Sequence, residues 1–204
     1  VDREVRLLDK NAAWRYLGVK PMDGVKLVAF ETVNKIANTG KAPWKKETGL
    51  LSVWILGMFN PSPFTVVVAP IVSGTEQKLG RAVNDEYFGK VPADRLVVKE
   101  KAAYFRADGK YRSKIGLSPQ RSRGVLGSYN PMDNVLTVVQ FTQPWLSKEY
   151  VNSEWKIQKD PYGGDAANSY NDGPSSSGGR PMGPFYELES SSPAASLSPG
   201  KSLV

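Results

Sequence analysis

The chain has 204 residues, of which 40% are hydrophobic and 10% aromatic, and its formal net charge is +7. This composition predicts a globular fold rather than a disordered chain. Because the sequence contains no cysteine and no histidine, it excludes disulfides, thiolate or histidine metal sites, and catalytic triads that need histidine.

The first part of the chain is predicted to form strands interrupted by one helical turn. The helical turn spans 11–17 and ends at Gly18, a residue type that commonly terminates helices. Apolar residues in the strand patterns predict four strands, over 1–9, 25–36, 50–59 and 64–72. The strand over 50–59 is almost continuously apolar, which is typical of a strand covered on both faces.

The remaining part of the chain is predicted to be β-structure with one long loop. The Gly/Ser/Asn/Asp-rich stretch 160–184 is interpreted as that loop. Further strands are predicted over 95–105, 114–117, 125–129, 135–142, 151–158, 185–190 and after Gly200. Together with 19 glycines and 15 prolines, this pattern predicts an all-β, antiparallel β-sandwich formed by one segment over 1–204.

The two ends of the sequence lead to a further expectation about completeness. The chain begins directly in an alternating strand and finishes just after a turn. We therefore expect an incomplete domain, in which the first and last strands are unpaired or poorly covered. No stretch has the length and apolar character of a membrane span.

The positive charge is concentrated in residues 95–123, which contain nine basic and two acidic residues. A basic stretch of this kind can follow nucleic-acid phosphates. The preferred interpretation is a set of solvated Lys and Arg side chains on outer strand faces, because no nucleic-acid-binding motif accompanies the charge. Nucleic acid is therefore a weak candidate partner.

The predicted loop contains a group of oxygen-bearing side chains. Asp165, Tyr170, Asn171 and Asp172 supply carboxylate, phenol and amide groups within a short stretch. Such groups hydrogen-bond sugar hydroxyls while an aromatic ring covers the sugar. A calcium ion would accept the same ligands, although the spacing is not that of an EF-hand. A third interpretation is that these residues are ordinary turn formers.

A pair of glutamates follows on the predicted strand over 185–190. Since side chains alternate along a strand, Glu187 and Glu189 point to the same face, about 7 Å apart. Two neighbouring carboxyl groups can differ in pKa, as general acid–base catalysis requires. The alternative is that both are solvated side chains on an outer face.

The C-terminal part of the sequence resembles a known enzyme family. Residues 187–200 (ELESSSPAASLSPG) resemble the C-terminal signature of aldose 1-epimerases, or galactose mutarotases. The chain as a whole is similar to an uncharacterised bacterial family with a galactose-mutarotase-like supersandwich fold. The stretches that carry this similarity are 49–58, 87–96, 108–116, 150–155, 164–174 and 185–194.

The resemblance implies roles for individual residues. Glu189 matches the glutamate that acts as general base on the anomeric hydroxyl of the sugar. Leu56, flanked by Trp54 and Met58, falls near the position of the family's acid histidine. Leucine cannot donate a proton, so the resemblance implies that half of the acid–base pair is absent. The resemblance also implies a periplasmic or secreted protein.

These observations lead to two hypotheses of function. The first is a carbohydrate-recognising domain without a metal or other cofactor. Its proposed ligand-binding residues are Glu187, Glu189, Asp165, Asp172, Asn171, Tyr170 and Trp54. The second is a sugar-active enzyme, an epimerase or lyase variant, that uses Glu189 as general base and Tyr170 or Tyr186 as the acid.

Overall fold

The computed structural model describes residues 1–175 and 178–204. The structure is mostly β, and the strand pairs of its three sheets are antiparallel. The helices in this part of the chain are α1 (Lys10–Leu17) and the short α2 (Glu76–Leu79). The strands are β1 (Asp2–Leu7), β2 (Phe30–Ala37), β3 (Trp54–Phe59), β4 (Val66–Pro70), β5 (Leu96–Val98), β6 (Ala102–Arg106), β7 (Ser113–Leu117), β8 (Val125–Asn130), β9 (Val135–Gln140), β10 (Ala167–Asn171), β11 (Tyr186–Ser191) and β12 (Ser202–Leu203).

The structure divides into two compact units. The first unit comprises residues 1–49 and 196–204. It contains α1 and a sheet with the strand order β1-β2-β12. Helix α1 begins where Asp9 accepts a hydrogen bond from the backbone of Ala12, and it ends at Gly18, whose φ of 68° is left-handed. The predicted helical turn is confirmed.

The first and last strands were expected to be unpaired or poorly covered. Both β1 and β12 pair with β2, so the expectation of unpaired strands is wrong. The residues of β1 are nevertheless exposed along its whole length.

The second unit, residues 50–195, is a sandwich of two antiparallel sheets. One sheet has the order β5-β6-β4-β8-β9, and the other has the order β3-β11-β10-β7. Alternate side chains from the facing sides of both sheets form one apolar core, as expected for sheet-on-sheet packing. The buried core includes Val67, Ala69, Ala103, Phe105, Ile115, Leu117, Leu126, Ala167, Tyr186 and Leu188. The predicted all-β sandwich is therefore confirmed.

Strand β10 corrects the prediction of an uninterrupted loop over 160–184. All five residues of β10 are buried, and the strand pairs with β11 on one side and β7 on the other. Its sequence, Ala-Asn-Ser-Tyr-Asn, lacks the apolar alternation that identifies strands. The polar side chains of this strand can be buried because hydrogen bonds satisfy them. Residues 176 and 177 of this segment lie outside the described residues.

Three further strand predictions need correction. Residues 151–158 form no strand. The stretch 95–105 contains two strands, β5 and β6, that pair with each other. Strand β3 is an edge strand rather than one covered on both faces, and Leu56 and Met58 are exposed on it.

The basic stretch 95–123 is not a solvated face throughout. Arg121 is buried, and its guanidinium donates to the backbone carbonyls of Val72, Gly74, Gly80 and Arg81. Lys114 is buried as well. Arg95 forms an ion pair with Asp108. These side chains are cations with fixed internal partners, so the preferred sequence interpretation is wrong for them.

Within the described residues, no helix has the length and apolar character needed to cross a membrane.

Candidate functional site

The outer face of the four-stranded sheet carries most of the residues singled out by the sequence. Because side chains alternate, the strand residues that do not face the core all lie on this second face. The antiparallel register places Glu189 between Leu56 and Asn168, and Glu187 between Met58 and Tyr170. Tyr170 is in turn paired with Lys114 of β7. We call this surface the outer face. Its members are Trp54, Leu56, Met58, Lys114, Gly116, Asn168, Tyr170, Glu187, Glu189 and Ser191.

Glu189 lies at the centre of the outer face and is completely buried. Its Oε2 accepts hydrogen bonds from Trp54 Nε1 at 2.8 Å and from Lys114 Nζ at 2.9 Å. The other carboxylate oxygen, Oε1, is buried and has no hydrogen-bond partner among the described residues. A buried carboxylate is costly unless it is paired. Lys114 is therefore the cation that compensates the Glu189 carboxylate inside the protein.

Lys114 is held between two aromatic rings. Its ammonium nitrogen lies 5.0 Å from the centre of the Trp54 ring and 5.1 Å from the centre of the Tyr87 ring. These distances allow cation–π attraction, which is strengthened when the cation is removed from water. The rings and the carboxylate together fix the position of a buried ammonium group beside Glu189.

A second carboxylate, Asp165, lies next to this group. Its Oδ2 accepts hydrogen bonds from the Tyr87 hydroxyl at 2.6 Å and from Asn84 Nδ2 at 3.1 Å. Asn168 Nδ2 donates to the same Tyr87 oxygen at 3.0 Å. Burial raises the pKa of Asp165, and it also raises the pKa of Tyr87. Tyr87 thus connects Asp165 to Asn168, the cross-strand neighbour of Glu189.

Glycine at position 116 is required for this arrangement. A Cβ atom on Gly116 would lie 2.6 Å from Asp165 Cγ and 2.7 Å from Asn168 Nδ2. Both distances are shorter than van der Waals contact. The absent side chain therefore provides the space in which the Asp165 carboxyl group packs onto the sheet.

Glu187 differs from Glu189 in its environment. It lies at the more accessible side of the outer face, with 9% of its surface exposed. Burial raises its pKa to about 7, and the nearby charge of Glu189 contributes in the same direction, whereas Lys114 acts against it. The two same-face glutamates therefore combine one paired carboxylate with one carboxyl group that exchanges a proton near neutral pH.

The raised pKa of Glu187 predicts a pH-dependent stability. Between its unfolded pKa of 4.5 and its folded pKa of about 7, the folded state binds more protons. Its contribution to stability is thus present below the unfolded value and is lost as the pH rises through about 7. Urea unfolding should show wild-type stability falling relative to Glu187→Gln over this range. Parallel pH profiles for the two proteins would contradict the assignment.

Tyr170 and Asp172 form a separate buried pair at the end of β10. The Tyr170 hydroxyl donates to Asp172 Oδ1 at 2.6 Å, and the backbone of Gly183 donates to Asp172 Oδ2 at 2.8 Å. The pKa of Tyr170 is raised by burial first, and then by its bond to Asp172. Arg112 lies 3.9 Å from the same carboxylate. Both carboxylate oxygens of Asp172 thus already accept hydrogen bonds from within the protein.

The structure does not bring all the sequence candidates together. Asn171 has the opposite strand orientation, and its amide bonds to the backbone of Gly109 and Tyr111. Tyr186 also faces away from Glu189, because its hydroxyl bonds to Ser128 in the core at 2.7 Å. Of the two tyrosines considered as the acid, only Tyr170 shares a face with Glu189.

Comparison with known protein families shows to which family the chain belongs. The profile of one family matches residues 1–204, which is the full sequence. The chain belongs to DUF6786, a family of unknown function. Searches of curated proteins and of solved structures found no match. Membership of an uncharacterised family is therefore confirmed, whereas the galactose-mutarotase-like relationship stays a prediction.

A metal site is the remaining chemical possibility raised by the carboxylates of this DUF6786 chain. In the described parts of the sequence, no three Asp or Glu side chains are grouped so that they could hold a metal ion. Asp165 and Asp172, the candidates for calcium, instead bond to separate tyrosines.

Several residues of the site were not predicted from the sequence. Lys114 was counted with the solvated basic residues, and Tyr87, Asn84 and Asn168 were not assigned a role. Lys114 lies within Ser-Lys-Ile-Gly-Leu, a strand in which the structure buries all five residues, and the sequence pattern alone does not reveal this burial. Unpaired lysine is rarely buried, so this position required an acidic partner.

Proposed function

We propose that the outer face of the four-stranded sheet binds a carbohydrate. The observation that carries the proposal is the buried Glu189 carboxylate, whose Oε2 accepts a hydrogen bond from Trp54 Nε1 and whose Oε1 has no hydrogen-bond partner among the described residues. Glu187 adds a second carboxyl group at the accessible side. Sites for sugars combine a few convergent polar groups with aromatic or apolar surface, because a sugar presents both hydroxyl groups and C–H faces.

The apolar component of this proposed site lies along the edge strand β3. Trp54 is partly exposed, and Leu56 and Met58 project from the same face with 40% and 58% of their surface accessible. An indole ring offers a flat apolar surface together with an N–H donor. In the proposed complex, this strip packs against the sugar ring and Glu187 accepts a hydrogen bond from a hydroxyl. The unpartnered Oε1 of Glu189 accepts another once the side chains that cover it move aside.

The predicted relationship to galactose mutarotases is consistent with this proposal. In that relationship Glu189 corresponds to the catalytic base, and Leu56 falls near the acid histidine. The register places these two residues directly opposite each other on neighbouring strands. In that relationship, Leu56 stands where the epimerases have a proton donor, next to Glu189. The lack of a proton donor at this position favours sugar binding over standard epimerase catalysis.

A second candidate function is sugar isomerisation, favoured by the contrast between the two glutamates. Glu189 would remove the proton of the anomeric hydroxyl, while the protonated carboxyl of Glu187 would donate a proton to the ring oxygen. The bond between the anomeric carbon and the ring oxygen then breaks to give the open-chain aldehyde. Reclosure in the reverse sense returns both protons, so the reaction requires no cofactor.

Binding measurements with matched variants test the first candidate. Glycan-array screening identifies the sugar, and calorimetry then compares wild type, Glu189→Gln and the exposed control Glu47→Gln. A hydrogen bond to a charged group contributes about 1.5–3 kcal/mol, so Glu189→Gln should weaken binding about 10-fold to 100-fold. The control should bind like wild type. Absence of binding across neutral and acidic glycans would contradict the proposal.

A mutarotation assay distinguishes the two candidates. If the chain is an isomerase, Glu189→Gln abolishes turnover and only weakens binding. The rate of the wild type should also fall as the pH rises through about 7, the pKa of Glu187, and Glu187→Gln should lack this decrease. If the chain only binds sugar, the wild type shows no turnover and both substitutions change affinity alone.

A further inference from the structure

A surface cleft adjoins the outer face on the side of Asp165. It has a volume of about 370 Å³ and lies between the segment around α2 and the residues that follow β7. Lys78, Arg81 and Lys148 supply three cationic groups to its lining, and Ser118 and Gln120 supply uncharged polar groups. The cleft therefore has a positive rim, although the neighbouring outer face is rich in carboxyl groups.

Two of the three cations remain available to a ligand. Arg81 is paired with Glu86 at 2.7 Å. Lys78 and Lys148 are exposed, and the described parts of the chain provide no ion pair for either of them. In addition, Ser118 Oγ is buried and has no hydrogen-bond partner among the described residues. The cleft is thus lined by unpaired positive charge, and an unsatisfied hydroxyl group is buried in its wall.

The wall of the cleft is held in place by Arg121. All three guanidinium nitrogens of Arg121 donate to backbone carbonyls, including those of Gly74 and Gly80. This side chain is 3% exposed, so its role is to fix the backbone that presents Lys78 and Arg81. A cleft with a fixed wall loses less conformational freedom when it binds a ligand.

The cleft and the outer face share Asp165. This residue lines the cleft, and through the Tyr87 hydroxyl it is connected to Asn168. Asn168 is the direct cross-strand neighbour of Glu189. The apolar strip on β3 and the cleft beside β7 lie at opposite edges of the four-stranded sheet, three strand spacings or about 14 Å apart, so an oligosaccharide of several units is needed to contact both.

We propose that this cleft binds an anionic substituent, a carboxylate or a sulfate ester, of the carbohydrate held on the outer face. The inference rests on the proposed sugar-binding function and narrows it to acidic sugars. Lys78 and Lys148 pair with the anion, and Ser118 donates a hydrogen bond to it. The Asp165 carboxyl group also lines the cleft, and burial raises its pKa, which weakens its repulsion of the anion.

The test compares three tetrasaccharides by calorimetry: a uronic-acid chain, a sulfated chain and an uncharged chain of similar size. Lys78→Gln/Lys148→Gln is compared with Lys99→Gln/Lys101→Gln, which removes the same charge from exposed positions elsewhere in the same unit. We expect an acidic chain to bind about 10-fold tighter than the uncharged chain at low salt, and the first variant to abolish this preference. The control variant should change affinity less than about twofold.

The possible outcomes separate the inference from the function on which it rests. Tighter binding of the uronic-acid chain alone, or of the sulfated chain alone, supports the inference and identifies the substituent. Equal binding of charged and uncharged chains, or equal effects of the two double variants, overturns the inference but leaves the sugar site intact. Failure of all three chains to bind the wild type overturns both.

Discussion

Replacing Lys114 with methionine is expected to lower the free energy of unfolding by about 3–5 kcal/mol. Lys114 is the cation that contacts the completely buried Glu189, at 2.9 Å. Methionine has a similar length and retains the apolar packing between Trp54 and Tyr87, so the substitution mainly removes the charge. It leaves a carboxylate in the interior without a compensating cation, which is the costly way to break a buried ion pair.

Urea unfolding at neutral pH measures this effect. Lys101→Met is the matched control because Lys101 is exposed, and it should change stability by less than about 0.5 kcal/mol. The double variant Lys114→Met/Glu189→Met should recover much of the loss, since it removes both charges together. A loss below about 1 kcal/mol for Lys114→Met alone would show that Glu189 does not depend on this cation.

Substituting Gly116 with alanine is expected to destabilise the fold by about 1–3 kcal/mol. The new methyl group would lie 2.6 Å from Asp165 Cγ and 2.7 Å from Asn168 Nδ2. Gly116 also belongs to the central part of a buried strand, and its backbone pairs with Asn84 as well as with β10. The neighbouring side chains must therefore move, and this movement disrupts the bonds between Asp165, Tyr87 and Asn84.

The matched control for this substitution is Gly183→Ala. A Cβ atom at that position would lie 3.6 Å from the nearest atom, Phe185 Cδ1, which is an ordinary contact. We expect its stability to remain within about 0.5 kcal/mol of wild type. If Gly116→Ala unfolds at the same urea concentration as Gly183→Ala, then Asp165 does not pack against the sheet in the manner described.

Much of the β-structure could be predicted because most strands present one apolar face to a core. Val67 and Ala69 on β4, for example, alternate with less buried residues, and this alternation is a local property of the sequence. Strand β10 could not be found in this way. Its residues are buried on both faces yet largely polar, and their partners are supplied by other strands, as in the bond from Ser169 Oγ to the carbonyl of Glu187 at 2.7 Å.

The candidate site, like the fold, could be predicted only where the signal is local in the sequence. That Glu187 and Glu189 share a face follows from the two-residue period of a strand, and the structure places both on the outer face. The partner of Glu189 could not be inferred, because Lys114 is 75 positions away and reaches it only through the order β11-β10-β7. Single charged residues in a strand are usually solvated, so local pattern alone favoured the wrong environment for Lys114.

The central claim is that a sugar contacts the outer face beside Trp54 and Glu189. The most direct measurement follows the Trp54 indole N–H, which donates to Glu189 at 2.8 Å, by nuclear magnetic resonance during titration with neutral and acidic oligosaccharides. Comparison with Trp54→Phe assigns this signal among the five tryptophans. We predict that at least one oligosaccharide shifts the Trp54 signal in a saturable manner and that Glu189→Gln weakens this response. If no oligosaccharide moves the signal, or if only the other indole signals respond, the outer face is not the carbohydrate site.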